Sequence, residues 1–411
     1  MLKVTRYRSH LAAMALPLGM TGYAHAEVNS LQGMISEGKV NIDLRLRFEG
    51  VDQDGFDEDA EAITLRSRLG FTSASWNGIS FMGEFDDVSH LSDDDFNSTD
   101  NGKTQFPVIA DPEGTEINQA WLKYAFSSGS ATYGRQRILM GDQRFVGGVA
   151  WRQNEQTYDG FRALLSPSDS LKIDLSYVYN VNRLFGPDDG PVQPGDLKGD
   201  NVFFRTDWQI MEGHNIAGYA YLLDIDEDDG YPAGRTVDNS SDTYGVEYSG
   251  AFGPLSARAA YAQQSDAGDS NLSYDADYYL LEGAFKVSGI TLKAGYEVLG
   301  GDNGVGFKTP YATLHKFQGW ADKFLATPGD GVEDAYLGLL GKMGPVKLGA
   351  FYHDFQAEDA SADFGTEVDL VATWPATQWL TLQAKYASFD SDDASRFTDT
   401  DKIWFTAQIK L

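Results

Sequence analysis

A transmembrane antiparallel β-barrel of the outer-membrane type is the fold class this sequence predicts, and three observations predict it. The chain opens with a secretory leader, its apolar residues recur with a period of two, and its connectors alternate between short and long. No run of about 18 or more apolar residues offers a transmembrane helix instead.

The leader comes first. Lys3, Arg6 and Arg8 make a basic start, Leu11–Met20 an apolar stretch, and Ala24-His25-Ala26 a small-x-small cleavage site before Glu27. The apolar stretch is shorter than the roughly 20 residues of a helical anchor. Cleavage after Ala26 is therefore expected, leaving a short periplasmic segment at 27–38 and one barrel domain at 39–411.

Composition narrows the partners. The formal net charge is −29, and loss of the leader's three basic residues makes it more negative still. Such an acidic polymer is a poor partner for nucleic acid, whose phosphates demand Lys and Arg. The absence of Cys excludes disulfides and thiolate metal sites. With Gly 44, Tyr 21, Phe 24 and Trp 8, the mean hydropathy is still only −0.35. A wall that meets lipid on one face and water on the other has that profile.

The strands read in order. Val40, Ile42, Leu44, Leu46 and Phe48 alternate with Lys39, Asn41, Asp43, Arg45, Arg47 and Glu49. A helix cannot segregate that pattern, whereas a strand puts the two sets on opposite faces. Ile63, Leu65, Leu69 and Phe71 alternate with Thr64, Arg66 and Arg68, and the pattern returns at 171–179, 346–352 and 380–386. Short turns at 76–78, 127–130, 166–170, 211–215, 253–254, 288–289, 344–345 and 375–378 are separated by long polar connectors. Counting between them predicts roughly 18 strands, with short periplasmic turns and long external loops. A soluble sandwich or propeller, the competing fold, gives no reason for turns that alternate strictly in length. The final strand, with Ile403, Phe405, Ala407, Ile409 and Leu411 in step, runs to the carboxyl end. Many outer-membrane barrels end this way, usually on an aromatic residue read by the barrel-assembly machinery; Leu411 stands in that place. Lipid, lipopolysaccharide and that machinery are the expected partners of the wall.

The polar faces suggest a function. The inward set includes Arg45, Arg47, Arg66, Arg68, Lys123, Arg135, Arg137 and Arg162, with fewer inward acids, while the loops are acidic at 52–61, 93–95, 226–229 and 390–393. A basic wall around confined water favours anions. The competing reading is that each Arg braces the barrel against a neighbouring acid, as the Arg66/Arg68 strand would against Glu84/Asp86. The acidic stretch 224–230 is spaced nearly like a calcium loop, but its glycine is one place late and Arg235 stands where Glu is needed, so no metal site is expected. His90, His214, His315 and His353 lie near no nucleophile pattern, and neither catalysis nor a cofactor is expected.

Two stretches carry a family resemblance. Gly134-Arg135-Gln136-Arg137, with 141–147 (GDQRFVG) and 151–160 (WRQNEQTYDG), resembles the core signature of the alginate export family of outer-membrane porins. The run 308–324 (KTPYATLHKFQGWADKF) is similar to a long loop of many members. The resemblance implies a monomeric 18-stranded barrel whose electropositive pore passes a polyuronate. By motif, it implies that Arg135, Arg137, Arg144 and Arg152 contact carboxylates, a task suited to the planar guanidinium fork. A passive channel for anionic saccharides is thus the first expectation; a general anion-preferring diffusion porin for small solutes is the alternative. A structural barrel becomes the third if the loop 307–324 plugs the lumen.

Overall fold

The computed structural model describes residues 27–93, 95–359 and 361–411. The leader expected at 1–26 lies outside the described residues. Alternation of apolar and polar residues becomes eighteen strands. These are β1 (Lys39–Gln53), β2 (Ala60–Thr72), β3 (Ile79–His90), β4 (Gly114–Phe126), β5 (Gly129–Gln136) and β6 (Thr157–Ser168). β7 (Leu171–Asn182), β8 (Asp196–Met211), β9 (His214–Leu223), β10 (Ser241–Phe252), β11 (Leu255–Asp266) and β12 (Asp275–Val287) follow. β13 (Ile290–Leu299), β14 (Val332–Met343), β15 (Val346–Gln356), β16 (Asp363–Pro375), β17 (Leu380–Ser391) and β18 (Thr400–Lys410) complete the wall.

Each strand pairs antiparallel with its sequence neighbours, and β1 pairs with both β2 and β18, so the sheet closes. Closure leaves no edge, which lets backbone polar groups face hydrocarbon fully bonded. Leu411 finishes the seam: its N–H donates to Ile42 O at 2.9 Å and its carbonyl accepts from Ile42 N at 3.1 Å. Beneath the first short turn, Val28 N donates to Ser75 O at 2.8 Å and Ala74 N to Met34 O at 2.9 Å. That turn is a two-residue hairpin of Asn77 (φ 49°) and Gly78 (φ 79°), the Asn-Gly pair that a twisted hairpin prefers. A Cβ on Gly78 would lie 2.4 Å from Ala125 O.

Burial is inverted relative to a soluble protein. Outward Leu69, Leu281 and Leu337 are 55–65% exposed, whereas inward Arg66 and Asp369 are 0% exposed. Outward aromatics border both ends of the wall: Phe126, Trp208, Phe285 and Trp374 near the short turns, and Tyr177, Tyr261, Tyr279 and Tyr386 near the loops. This is the aromatic girdle of a membrane barrel. His214, which the sequence places in a short turn, instead begins β9.

Candidate solute path

Two long connectors fold into the lumen and build the site. The connector 137–156, after β5, is drawn inward by the β1–β2 wall. Val149 sits at φ 50°, a rare conformation for a β-branched residue, and behind it the carbonyls of 150–152 turn toward that wall. Arg45 Nη1 donates to the carbonyls of Ala150, Trp151 and Arg152 at 3.0, 3.2 and 2.9 Å. Arg47 Nη2 donates to the Trp151 carbonyl as well. The connector 300–331, after β13, lies against the first: Gly147 N donates to Tyr311 O at 2.8 Å and Thr313 N to Gln143 O at 3.0 Å. The loop 307–324 is therefore a lumen element. It is pinned by Glu367, which accepts from Trp320 N and, at 2.7 Å, from Ala321 N.

Carboxylates accompany most of the predicted basic residues. Arg66 Nη2 lies 2.8 Å from Asp43. Arg68 pairs with Asp86 and lies 3.3 Å from Glu155. Arg137 donates from Nε to Glu155 and from Nη2 to Glu84, both at 2.5 Å. Arg135 grips Asp159 bidentately at 2.9 and 3.0 Å, and Arg162 grips Asp174 at 2.9 and 2.6 Å. Arg144 meets Glu297 at 2.9 Å and sits 4.8 Å from the Phe317 ring centre. Arg152 meets Glu49 at 2.9 Å, Asp111 at 3.6 Å and Asp322 at 3.8 Å. Lys123 has no carboxylate at ion-pair distance among the described residues. Arg135 and Arg137 keep 27% and 29% of their side-chain surface open, whereas Arg144 and Arg152 keep 1% and 6%. The open pair borders water; the buried pair secures the inward loop.

The wall is thus more evenly charged than the count of arginines implies. The sequence reading passed over Glu49, Asp111, Glu155 and Asp322 as site residues, and all four are buried here. Glu49 was visible, since it continues the inward alternation of Arg45 and Arg47. A bulge between Glu84 and Phe85 on β3 and their β4 partners turns both Asn118 and Gln119 inward, where they donate to Glu84 at 2.8 and 2.9 Å.

In the loops, charge neighbours govern titration. Burial favours a neutral Asp142, yet Arg258 and Lys316 hold its carboxyl down at about 2. His315 is held down at about 3, chiefly by burial. Its Nδ1 lies 2.7 Å from Asp322 Oδ1 and its Nε2 2.6 Å from Lys385 Nζ, and its ring stacks 3.4 Å from Trp151. A neutral imidazole satisfies both contacts, donating at Nδ1 and accepting at Nε2.

The same barrel recurs in solved structures. OccK3 (OpdO) of Pseudomonas aeruginosa superposes with a TM-score of 0.68 at 13% identity, over 93% of this chain and 97% of that one. OccAB4 of Acinetobacter baumannii gives 0.68 at 14% identity, over 91% and 98%. OccK8 (OprE) of P. aeruginosa gives 0.66 at 14%, over 92% and 99%. At such identities the likeness speaks for fold alone. No curated protein matches the chain. The alginate export family model, however, matches residues 37–312, a span that takes in β5, β6 and the whole inward connector 137–156. The chain belongs to the alginate export family, and its closed barrel is that of a porin-like outer-membrane channel.

Proposed function

We propose that the protein is a passive outer-membrane channel for anionic saccharides, with Arg135, Arg137, Arg144 and Arg152 along the solute path. One observation carries this reading. Among the described residues, several guanidinium donors of the lumen wall and its inward loop lack hydrogen-bond acceptors: Nε and Nη1 of Arg47, Nε and Nη1 of Arg66, and both Nη atoms of Arg144. Buried donors are rarely left unpaired, and a carboxylate is the acceptor that matches them. Several weak sites in series pass a polyanion without trapping it. In this reading the leader is cleaved after Ala26, and the barrel-assembly machinery inserts a monomer among lipid and lipopolysaccharide.

The reversal potential of the purified barrel in a planar bilayer under a salt gradient tests the proposal. Anion selectivity, concentration-dependent block by mannuronate oligomers and weakened selectivity in Arg135→Ala/Arg137→Ala are expected. Weak selectivity without block would instead mark a general diffusion porin, a reading favoured by the many carboxylates that offset the arginines.

A further inference from the structure

The two mouths of the barrel differ in charge. Connectors on the long-loop side are acidic, as at 52–61, 224–229 and 390–393. On the short-turn side, lysines take the inward positions closest to the strand ends. Lys39 is in step with inward Arg45 and Arg47 on β1, Lys172 with Asp174 and Ser176 on β7, and Lys286 with Tyr278 and Leu280 on β12. Lys342 is in step with Asp334 and Gly338 on β14, Lys347 with His353 and Phe355 on β15, and Lys410 with Lys402 and Trp404 on β18. Within two residues of these strand ends, no inward strand position holds Asp or Glu; Asp174 lies three residues into β7, and Asp207 stands opposite Lys172. The remaining inward polar residues there are of the Ser, Thr, Asn and Gln type.

Structure alone gives four of these lysines no purpose. Lys342 and Lys347 stand directly opposite each other across β14 and β15, and like charges so placed destabilise a sheet. Lys172, Lys286, Lys342 and Lys347 are exposed and have no carboxylate at ion-pair distance among the described residues. Lys410 is 3.6 Å from Asp43. The arginines deeper in the lumen are mostly offset by acids, whereas Lys172, Lys286, Lys342 and Lys347 outnumber the turn acids Asp169 and Glu212, so this end carries an excess of positive charge.

We propose that the periplasmic mouth is an anion-collecting vestibule, built by these lysines, that draws carboxylated saccharide into the channel from that side. The identity of the anion rests on the function proposed above; the vestibule itself does not. A fixed charge cannot set the direction of net passive flow, which follows the gradient. It raises the local anion concentration at one mouth and so the rate of capture there. With positive charge at one mouth and negative at the other, current is larger when anions arrive from the lysine side.

The test is single-channel recording in about 0.1 M KCl, where the Debye length is about 10 Å. Because the chain has no Cys, a Glu58→Cys reporter on the loop side reveals orientation through a membrane-impermeant maleimide. The wild type should rectify, and trimannuronate should associate about tenfold faster from the lysine side. Lys→Gln at 172, 286, 342 and 347 should remove both asymmetries, while Lys→Arg at the same positions keeps them. Gel mobility of the folded barrel verifies that each variant assembles. A linear current in the wild type, or rectification that survives in the Gln variant, overturns the vestibule. Rectification without saccharide block from either side upholds the vestibule and overturns the saccharide reading.

Discussion

The two connectors inside the lumen are held by different forces. The 137–156 connector is fastened by charge: Glu155 to Arg68 and Arg137, Arg152 to Glu49, and Arg144 to Glu297. The 300–331 connector is fastened mainly by aromatic packing. Phe324 has its ring centre 4.5–6.2 Å from those of Phe355, Phe364, Phe389 and Phe397. The contrast teaches how each fails. A buried ion pair that loses one member strands the other charge, whereas an aromatic contact that is lost leaves a cavity which neighbours can partly refill.

Glu155→Ala should produce the largest effect. Glu155 is 2% exposed and also accepts from Asn118 Nδ2 at 2.6 Å, so its removal leaves one buried positive charge uncompensated, with Arg68 holding only the Asp86 side and Arg137 and Asn118 sharing Glu84. The expected cost to docking of the 137–156 connector is about 4 kcal/mol. Glu155→Gln should cost nearly as much, because the missing quantity is charge rather than volume. Amide hydrogen exchange across 143–156 measures it; protection equal to wild type in both variants would break the comparison.

Phe324→Ala should cost the 300–331 connector about 3 kcal/mol. Phe324→Leu should recover much of that, since volume is what the site lacks. Exchange protection across 307–324 reports the difference, and equal losses in the two variants would show that packing is not what holds this connector.

How much of this was legible in the sequence follows from the range of each interaction. The wall was legible because alternation is local: one strand's own residues reveal its inward and outward faces. Pairing between hairpin neighbours was partly legible, and Arg68 does meet Asp86 on the next strand. Contacts closing the lumen were not. Arg152 and Glu49 are 103 residues apart, and Arg144 and Glu297 are 153 apart. No local pattern encodes which way a connector folds; register and loop conformation decide that together. The Asn118 bulge was hidden for the same reason, since a bulge is a property of two strands.

The smallest effect tests how charge enters the aromatic connector. His315 faces Asp322, Lys385 and, farther off, Arg152, and its ring lies between Trp151 and Trp404. Its ordinary value is 6.5, and burial lowers it to about 3 in the docked state. Undocked, the imidazole binds a proton below about pH 6.5 that the docked one refuses until about pH 3. A proton taken up preferentially by the undocked connector makes docking weaker as pH falls through that window. At about pH 5 the loss is about 2 kcal/mol. Asp322 is held well below the usual carboxylate range despite burial, by its contact with His315 and the charges of Lys402 and Arg152, so its contribution fades only at still lower pH. Proteolysis within 307–324 should therefore accelerate between neutral pH and about pH 5, and His315→Gln should flatten that response. An unchanged acid response in His315→Gln would place the titrating group elsewhere in this connector or the wall that holds it.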